Sequence, residues 1–135
     1  AHPKSFSSRD TALAAHVRED HIAKAVIVKD GEGFAMAVIP GSDQLKLHAL
    51  QEETGRDFKL ADEPEIDRLF SDCLPGAIPP LGLLYGIETL LDERLTSLAN
   101  LYFEAGDHQQ LIYLSGEAFH ALLKGVRHGN FSHDG

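Results

Sequence analysis

Lys24 is the residue that most clearly invites a chemical interpretation, because its charge stands in an otherwise apolar strand. In the stretch HIAKAVIVKDG (21–31), apolar residues fall on both faces of the predicted strand. A strand of this kind is usually covered on both sides. A lysine there either extends its ammonium group to solvent or uses its charge on a ligand. The residue pattern alone leaves both interpretations open.

A second candidate is the proline-containing segment DCLPGAIPPLG (72–82). Two prolines restrict the backbone, and Gly76 permits close approach of a ligand or of another chain segment. Such a stiff segment holds its exposed N–H and C=O groups in place, as a preorganised polar site requires. A rigid turn between a helix and a strand would have the same pattern, so these two interpretations also remain open.

A third candidate is YFEAGDH (102–108), which ends a predicted strand at Gly106 and presents Asp107 and His108. A surface hairpin would look the same, and from the residues alone this simpler interpretation is favoured. The eight histidines have no HExxH motif or Cys/His cluster among them. We therefore expect neither a metal nor a cofactor.

Composition and charge narrow the function classes. The formal net charge of −9 argues against a general nucleic-acid binder, and DNA is not an expected partner. Residues 1–60 carry a net charge of −1 and residues 61–135 a net charge of −8, so a polyanion should dock on the first half. No apolar run approaches the ~18 residues of a membrane span. We expect a cytoplasmic protein without a membrane partner, and further residues upstream of Ala1.

The coarse pattern mixes strands and helices. Strands are predicted at 23–29, 33–39, 58–61, 86–91, 101–105 and 110–114, with a hairpin turn at Asp30-Gly31. Helices are predicted at 8–16, from a Ser42 cap to Gly55, at 63–70, and from a Ser115 cap to Gly125, whereas 72–82 should be irregular. This order predicts an α+β fold with a strongly curved mixed sheet and packed helices.

Three of these stretches together resemble one family. Lys24 in AKAVIV, the GxxxP pattern in PGAIPPLG and the run LYFEAGDHQQLIYLSGEAF resemble the YbaK/prolyl-tRNA synthetase-associated domain family of editing deacylases. The segment HPKSFSS resembles its His-Pro segment. The resemblance covers nearly the whole chain, 1–135, as a single editing domain that lacks some N-terminal residues.

The resemblance implies a curved, barrel-like sheet and hydrolysis of the ester that joins a wrong amino acid to tRNA. It implies catalytic roles for Lys24, Gly76 and Pro80. It also implies a substrate pocket whose residues would be Phe6, Ser7, Met36, Ala77, Ile78, Pro79, Gly106 and His108. Lys24 would place its charge on the terminal phosphate or on developing negative charge, and the 76–80 loop would surround the aminoacyl carbonyl.

The implied partner is the acceptor end of aminoacyl-tRNA, which should approach over the first half of the chain. The acidic second half predicts weak intrinsic tRNA affinity, with help from an aminoacyl-tRNA synthetase or another domain. A non-catalytic binding or regulatory module of the same fold, within a longer protein, remains the alternative. An unrelated small-molecule esterase is a more distant one. The amino acid removed is not predictable, because one methylene changes binding by only about 1–3 kcal/mol.

Overall fold

A long β-hairpin forms the centre of the fold because two apolar runs flank Asp30-Gly31, a residue pair that favours a tight turn. In the computed structural model, β1 (Ala23–Asp30) pairs antiparallel with β2 (Gly33–Pro40) along their whole lengths. The Asp30 carboxylate closes the turn by accepting the backbone N–H groups of Glu32 and Gly33 at 2.9 and 3.1 Å. Gly33 has a φ of 144°, which glycine adopts readily. The predicted hairpin is therefore confirmed.

The structure describes residues 21–71, 86–104, 111–123 and 125–134. Besides the hairpin, its strands are β3 (Asp43–Leu45), β4 (Lys59–Leu60), β5 (Glu88–Asp92), β6 (Asn100–Glu104), β7 (Leu111–Ser115), β8 (Arg127–Gly129) and β9 (Ser132–Asp134). Its α-helices are α1 (Leu47–Thr54), α2 (Glu63–Leu69) and α3 (Gly116–Leu122), and a short 3-10 helix spans Glu93–Leu95.

The main sheet has five strands in the order β4-β1-β2-β5-β8. β1 is antiparallel to β2 and β4, whereas β5 is parallel to both β2 and β8. Two further pairs, β3 with β9 and β6 with β7, form antiparallel ribbons. The mixed α+β class is thus confirmed. Among the described strands no sheet closes on itself, so the barrel-like curvature stays a prediction.

Local capping chemistry explains where the helices begin and end. Asp62 and Glu65 form a reciprocal capping box at the start of α2. The Ser115 hydroxyl accepts the Ala118 N–H at 3.1 Å and starts α3, as predicted. Gly55 ends α1 in the left-handed region, with a φ of 69°.

The predicted start of α1 is wrong. Ser42 does not cap this helix, because the chain first forms β3 and the helix begins only after Lys46. β3 is fixed by a partner that is remote in sequence, the strand β9. The end of α3 was also predicted too late, since this helix stops at Leu122. The predicted helix at 8–16 and the predicted irregular segment 72–82 lie outside the described residues.

The hairpin separates two apolar cores, one on each face of the sheet. One core contains Ala23, Ile27, Met36, Val38, Phe70, Phe103 and Phe119, among others. The other contains Val28, Ala35, Ala37, Ile39, Leu50, Phe58 and Phe131, among others. This arrangement confirms that the lysine strand is covered on both faces. Lys24 shares a face with Val28, since side chains alternate along a strand.

A buried polar cluster holds β3 and β9 against β5. Asp43 is almost fully buried and accepts hydrogen bonds from the hydroxyl of Ser132, at 2.8 Å, and from the guanidinium of Arg94. Asp92, also buried, accepts the backbone N–H groups of Arg94 and Phe131 at 2.9 and 3.0 Å. Because buried carboxylates need such partners, this cluster fixes the position of β3 beside Lys24.

Candidate functional site

Lys24 lies at the end of the hairpin that is remote from its turn. It is paired across the ladder with Ile39, and its side chain is half-buried. The ammonium group reaches past the end of β2 and donates to the carbonyl oxygen of Gly41 at 3.4 Å. This is longer than the usual 2.7–3.2 Å of an N–H···O hydrogen bond. The geometry keeps the charge just beyond the end of β2, at the end of the hairpin that is remote from its turn.

Beside this ammonium group lies an open hollow of about 320 Å³, which we call the Lys24 hollow. Among the residues that the structure describes, those that line it are Lys24, Val26, Ile39, Gln44, Leu45, Leu47 and Leu60. Val26 and Ile39 belong to the central hairpin, and the other apolar residues come from β3, α1 and β4. The volume falls within the range of small-molecule sites. The hollow therefore combines an apolar surface with one cationic and one amide side chain.

Leu60 is exposed over 59% of its surface although it is large and apolar. Gln44 is also exposed, and it occupies the middle of β3. The sequence analysis identified neither residue, because Gln44 was assigned to a helix and Leu60 to an ordinary short strand. No signal in the sequence alone places Gln44 and Leu60 beside Lys24, since the β3–β9 pairing that positions Gln44 joins distant segments.

Two other cations of the first half are held by carboxylates. Lys29 makes an ion pair with Glu65 at 2.7 Å, and this hydrogen bond lowers the pKa of the Glu65 carboxyl. Arg56 contacts Asp30 at 2.7 Å and Glu88 at 3.0 Å. The guanidinium hydrogen bond lowers the pKa of Asp30 to about 2, and the same pair raises the pKa of Arg56. These charges serve the fold, so they contribute less to attracting a polyanion than their number suggests.

Met36 lies on the other face of the sheet from Lys24. It pairs across the ladder with Ile27, has no exposed surface, and packs in the core that contains Phe70 and Phe119. The structure therefore does not bring Met36 and Lys24 together, and a pocket role for Met36 stays a prediction.

The remaining predicted site residues lie outside the described residues. They are Phe6, Ser7, Gly76, Ala77, Ile78, Pro79, Pro80, Gly106 and His108. Their roles stay predictions that derive from the family resemblance. In the described part of the chain, no three His, Cys, Asp or Glu side chains are grouped so that they could hold a metal ion. No helix in that part is long and apolar enough to cross a membrane.

Comparison with known families identifies the chain. The sequence profile of the aminoacyl-tRNA editing domain matches residues 2–122. This chain belongs to that family. The match covers most of the chain and confirms the resemblance that Lys24, the GxxxP pattern and the C-terminal run indicated.

Individual relatives agree with this assignment. A proline–tRNA ligase of Trichlorobacter lovleyi is 32% identical over 89 residues, which are 64% of this chain but only 15% of that ligase. A crystal structure of a hypothetical protein superposes with a TM-score of 0.85 at 26% identity, covering 97% of this chain and 87% of the other. A candidate trans-editing enzyme for prolyl tRNA synthetase has a TM-score of 0.81 at 20% identity, covering 94% and 80%. At that identity the last match demonstrates the fold alone.

Proposed function

We propose that this chain hydrolyses the ester bond of mischarged aminoacyl-tRNA, acting in trans as a proofreading deacylase in the cytoplasm. The observation that carries the proposal is the position of Lys24. A lysine at the position typical of the editing family lines an open hollow and holds its ammonium group just beyond the end of β2. The proposal also includes the barrel-like curvature and the acceptor-end contact that the family resemblance implies.

The reaction needs little covalent machinery, because an aminoacyl ester is already activated. A water molecule attacks the carbonyl carbon, and the bond from that carbon to the ribose oxygen breaks. The hydroxyl of the water stays on the released amino acid, and its other proton restores the terminal hydroxyl of the tRNA. The protein has to hold the ester and place the water, either directly or through the neighbouring ribose hydroxyl of the substrate.

Lys24 would stabilise negative charge in one of two ways. Its ammonium group would bind the terminal phosphate in the ground state, or it would face the oxygen that becomes negative in the transition state. Charge-assisted hydrogen bonds are roughly twice as strong as neutral ones. A half-buried position strengthens either interaction, because solvent screens it less than at the open surface. Gly76 and Pro80 would shape backbone donors around the carbonyl, and this remains a role inferred from the family.

The test is release of free amino acid from a panel of mischarged tRNAs, including tRNAs charged with alanine, serine, threonine and cysteine. We expect the chain to accelerate release from at least one member and Lys24→Ala to abolish the acceleration. If release never exceeds the spontaneous rate with any member, the catalytic proposal is wrong.

The alternative is a non-catalytic module that binds aminoacyl-tRNA. One observation favours considering it, because the matching segment is only a small part of a longer ligase. Protection of the ester from spontaneous hydrolysis by the wild-type chain would support this alternative.

A further inference from the structure

The short connection between β2 and β3 carries the carbonyl group that receives the Lys24 ammonium group. This carbonyl belongs to Gly41, a buried residue, and the hydrogen bond is 3.4 Å long. The N–H of Gly41 donates in turn to the carbonyl oxygen of Ile22 at 2.6 Å, just before β1 begins. Two residues after Gly41, Asp43 begins β3. Because consecutive Cα atoms lie only about 3.8 Å apart, a fixed Asp43 leaves the Gly41 carbonyl little freedom to move.

Asp43 is fixed by its own hydrogen bonds, and its side chain is almost fully buried. One carboxylate oxygen accepts the Ser132 hydroxyl at 2.8 Å and the Arg94 guanidinium, and the other accepts the Ser42 hydroxyl at 3.3 Å. Hydrogen bonds to an ionised group are roughly twice as strong as neutral ones. A buried carboxylate that leaves such partners also loses its compensation for desolvation. The carboxylate therefore resists displacement, and so does the chain on either side of it.

We propose that Asp43 is a positioning residue for Lys24. Its carboxylate, held by Arg94 and Ser132, sets the position of the Gly41 carbonyl and through it that of the ammonium group. The consequence for catalysis rests on the proposed function, whereas the surroundings of the Lys24 side chain can be measured without it.

Ser132 extends the support of the site to the C-terminal part of the chain. It belongs to β9, which pairs with β3 and lies beyond residues 2–122, the part that matches the editing family. Gln44 and Leu45, the other residues of β3, line the Lys24 hollow. A change at Ser132 is therefore expected to reach both the ammonium group and one wall of the hollow, although it is made outside the family match.

The first measurement is deacylation of the best mischarged tRNA by Asp43→Asn and Ser132→Ala. A displacement of about 1 Å can slow a reaction by about 10²-fold, so we expect kcat/KM to fall by about 10–100-fold in Asp43→Asn. Ser132→Ala keeps the carboxylate and its arginine partner, and its kcat/KM should fall by about fivefold, the equivalent of one ordinary hydrogen bond. Asp43→Asn should also change the same parameter, kcat or KM, that Lys24→Met changes.

The second measurement is the NMR signal of the Lys24 ε-methylene group in a chain that carries ¹³C-labelled lysine. The absence of this signal from Lys24→Met assigns it. We expect Asp43→Asn and Ser132→Ala to shift the Lys24 signal and to leave the corresponding signal of Lys29, near the hairpin turn, unchanged. A loss of folded protein alone would weaken both signals and would shift neither.

Asp30→Asn is the matched control. Asp30 also forms a carboxylate–arginine pair, with Arg56 at 2.7 Å, and its side chain is 7% exposed. It lies at the turn of the same hairpin, at the end opposite Lys24. Its replacement should lower stability without shifting the Lys24 signal or changing kcat/KM.

A folded Asp43→Asn variant with an unshifted Lys24 signal, or with the kcat/KM of the wild type, would overturn the proposal. If Asp43→Asn does not fold, Ser132→Ala decides by the same two criteria. An equal shift of the Lys24 signal in Asp30→Asn would also overturn the proposal, because lost stability would then be the cause of the shift.

The outcomes also separate this inference from the proposed function. If mischarged tRNA is deacylated but the Lys24 signal does not depend on Asp43, the positioning role is wrong and the deacylase stands. If the Lys24 signal depends on Asp43 but no tRNA is deacylated, the positioning role stands and the catalytic proposal falls.

Discussion

Replacing Lys24 by methionine separates the charge of this residue from its packing. Methionine keeps an unbranched apolar side chain along the sheet and removes only the ammonium group. Among its contacts with the described residues, Lys24 loses a hydrogen bond to the carbonyl oxygen of Gly41, which at 3.4 Å is long and therefore weak. Removing a half-buried charge also relieves its desolvation cost. We expect the free energy of unfolding to change by less than about 1 kcal/mol, measured by urea denaturation.

The effect on deacylation should be much larger than the effect on folding. If Lys24 stabilises the developing oxyanion, kcat should fall by about 10²–10³-fold, as when one such donor is removed elsewhere. If it binds the terminal phosphate in the ground state, KM should rise while kcat stays nearly unchanged. Initial rates of amino-acid release over a range of substrate concentrations distinguish these two roles.

Lys24→Arg is the matched control, because it keeps a positive charge with a different shape. We expect it to keep part of the activity that Lys24→Met loses, more so if the ligand is a phosphate. A folded Lys24→Met variant with wild-type kcat/KM on the best substrate would refute the reasoning, since the charge would then have no part in the reaction.

Three further predictions concern stability, each measured by chemical denaturation. Asp43→Ala should lower the free energy of unfolding by about 2–4 kcal/mol, because it removes the buried acceptor that holds β3. Gly116→Ala should cost about 1–3 kcal/mol, since a Cβ atom there would clash with the backbone carbonyl oxygen of Leu98. The Asp30–Arg56 pair should make stability fall on acidification. Because the folded pKa of Asp30 is lowered from 3.8 to about 2, the stabilisation is present above pH 3.8 and is lost as the pH falls towards 2.

Matched variants control for these effects. Gly31→Ala meets nothing within 4 Å and needs no positive φ, so it should be nearly neutral beside Gly116→Ala. Asp30→Asn should reduce the loss of unfolding free energy at low pH. Asp57→Asn, at an exposed position, should leave that loss as it is in the wild type. If Asp30→Asn loses as much stability at low pH as the wild type, another carboxyl group is responsible. A neutral Asp43→Ala would show that the buried cluster does not hold β3.

The parts of the fold that could be predicted from the sequence have determinants within a few residues. The hairpin depends on Asp30, whose carboxylate accepts N–H groups two and three residues ahead. The starts of α2 and α3 depend on Asp62 and Ser115, which bond to the third residue after each. Such contacts require no knowledge of the rest of the chain, so the pattern of residue types is sufficient.

The parts that could not be predicted depend on distant partners. β3 is only three residues long, and its buried Asp43 bonds to Ser132, 89 residues further along the chain. Without its distant partner, the same segment favours a helix with a Ser42 cap. This local preference led to the wrong prediction of the helix start. β8 and β9 were not predicted either. Each is only three residues long, and strands this short carry almost no periodic signal.

The same distinction between local and distant determinants applies to the candidate site. Lys24 could be singled out as a lysine within an apolar stretch, although that pattern alone left its role open, whereas the hollow beside it requires β3, α1 and β4 to be assembled first. Met36 was suggested as a pocket residue by the family resemblance, and pairing register explains why it lies on the other face of the sheet from Lys24. Residues opposite each other in an antiparallel pair share a face, and Lys24 is opposite Ile39, three residues beyond Met36. An odd offset along a strand always changes the face.

This division by face constrains how the central hairpin can shape a substrate site. On the face of Lys24, β2 contributes Ala35, Ala37 and Ile39, and of these only Ile39 lines the hollow. Met36 fills the opposite core, so a change there would reach Lys24 only through the backbone that the two faces share. Changes at Ile39 would alter the hollow directly. Substitutions at Ile39, Gln44 or Leu60 should therefore change the selectivity of the hollow directly. Substitutions at Met36 should first change the stability of the fold.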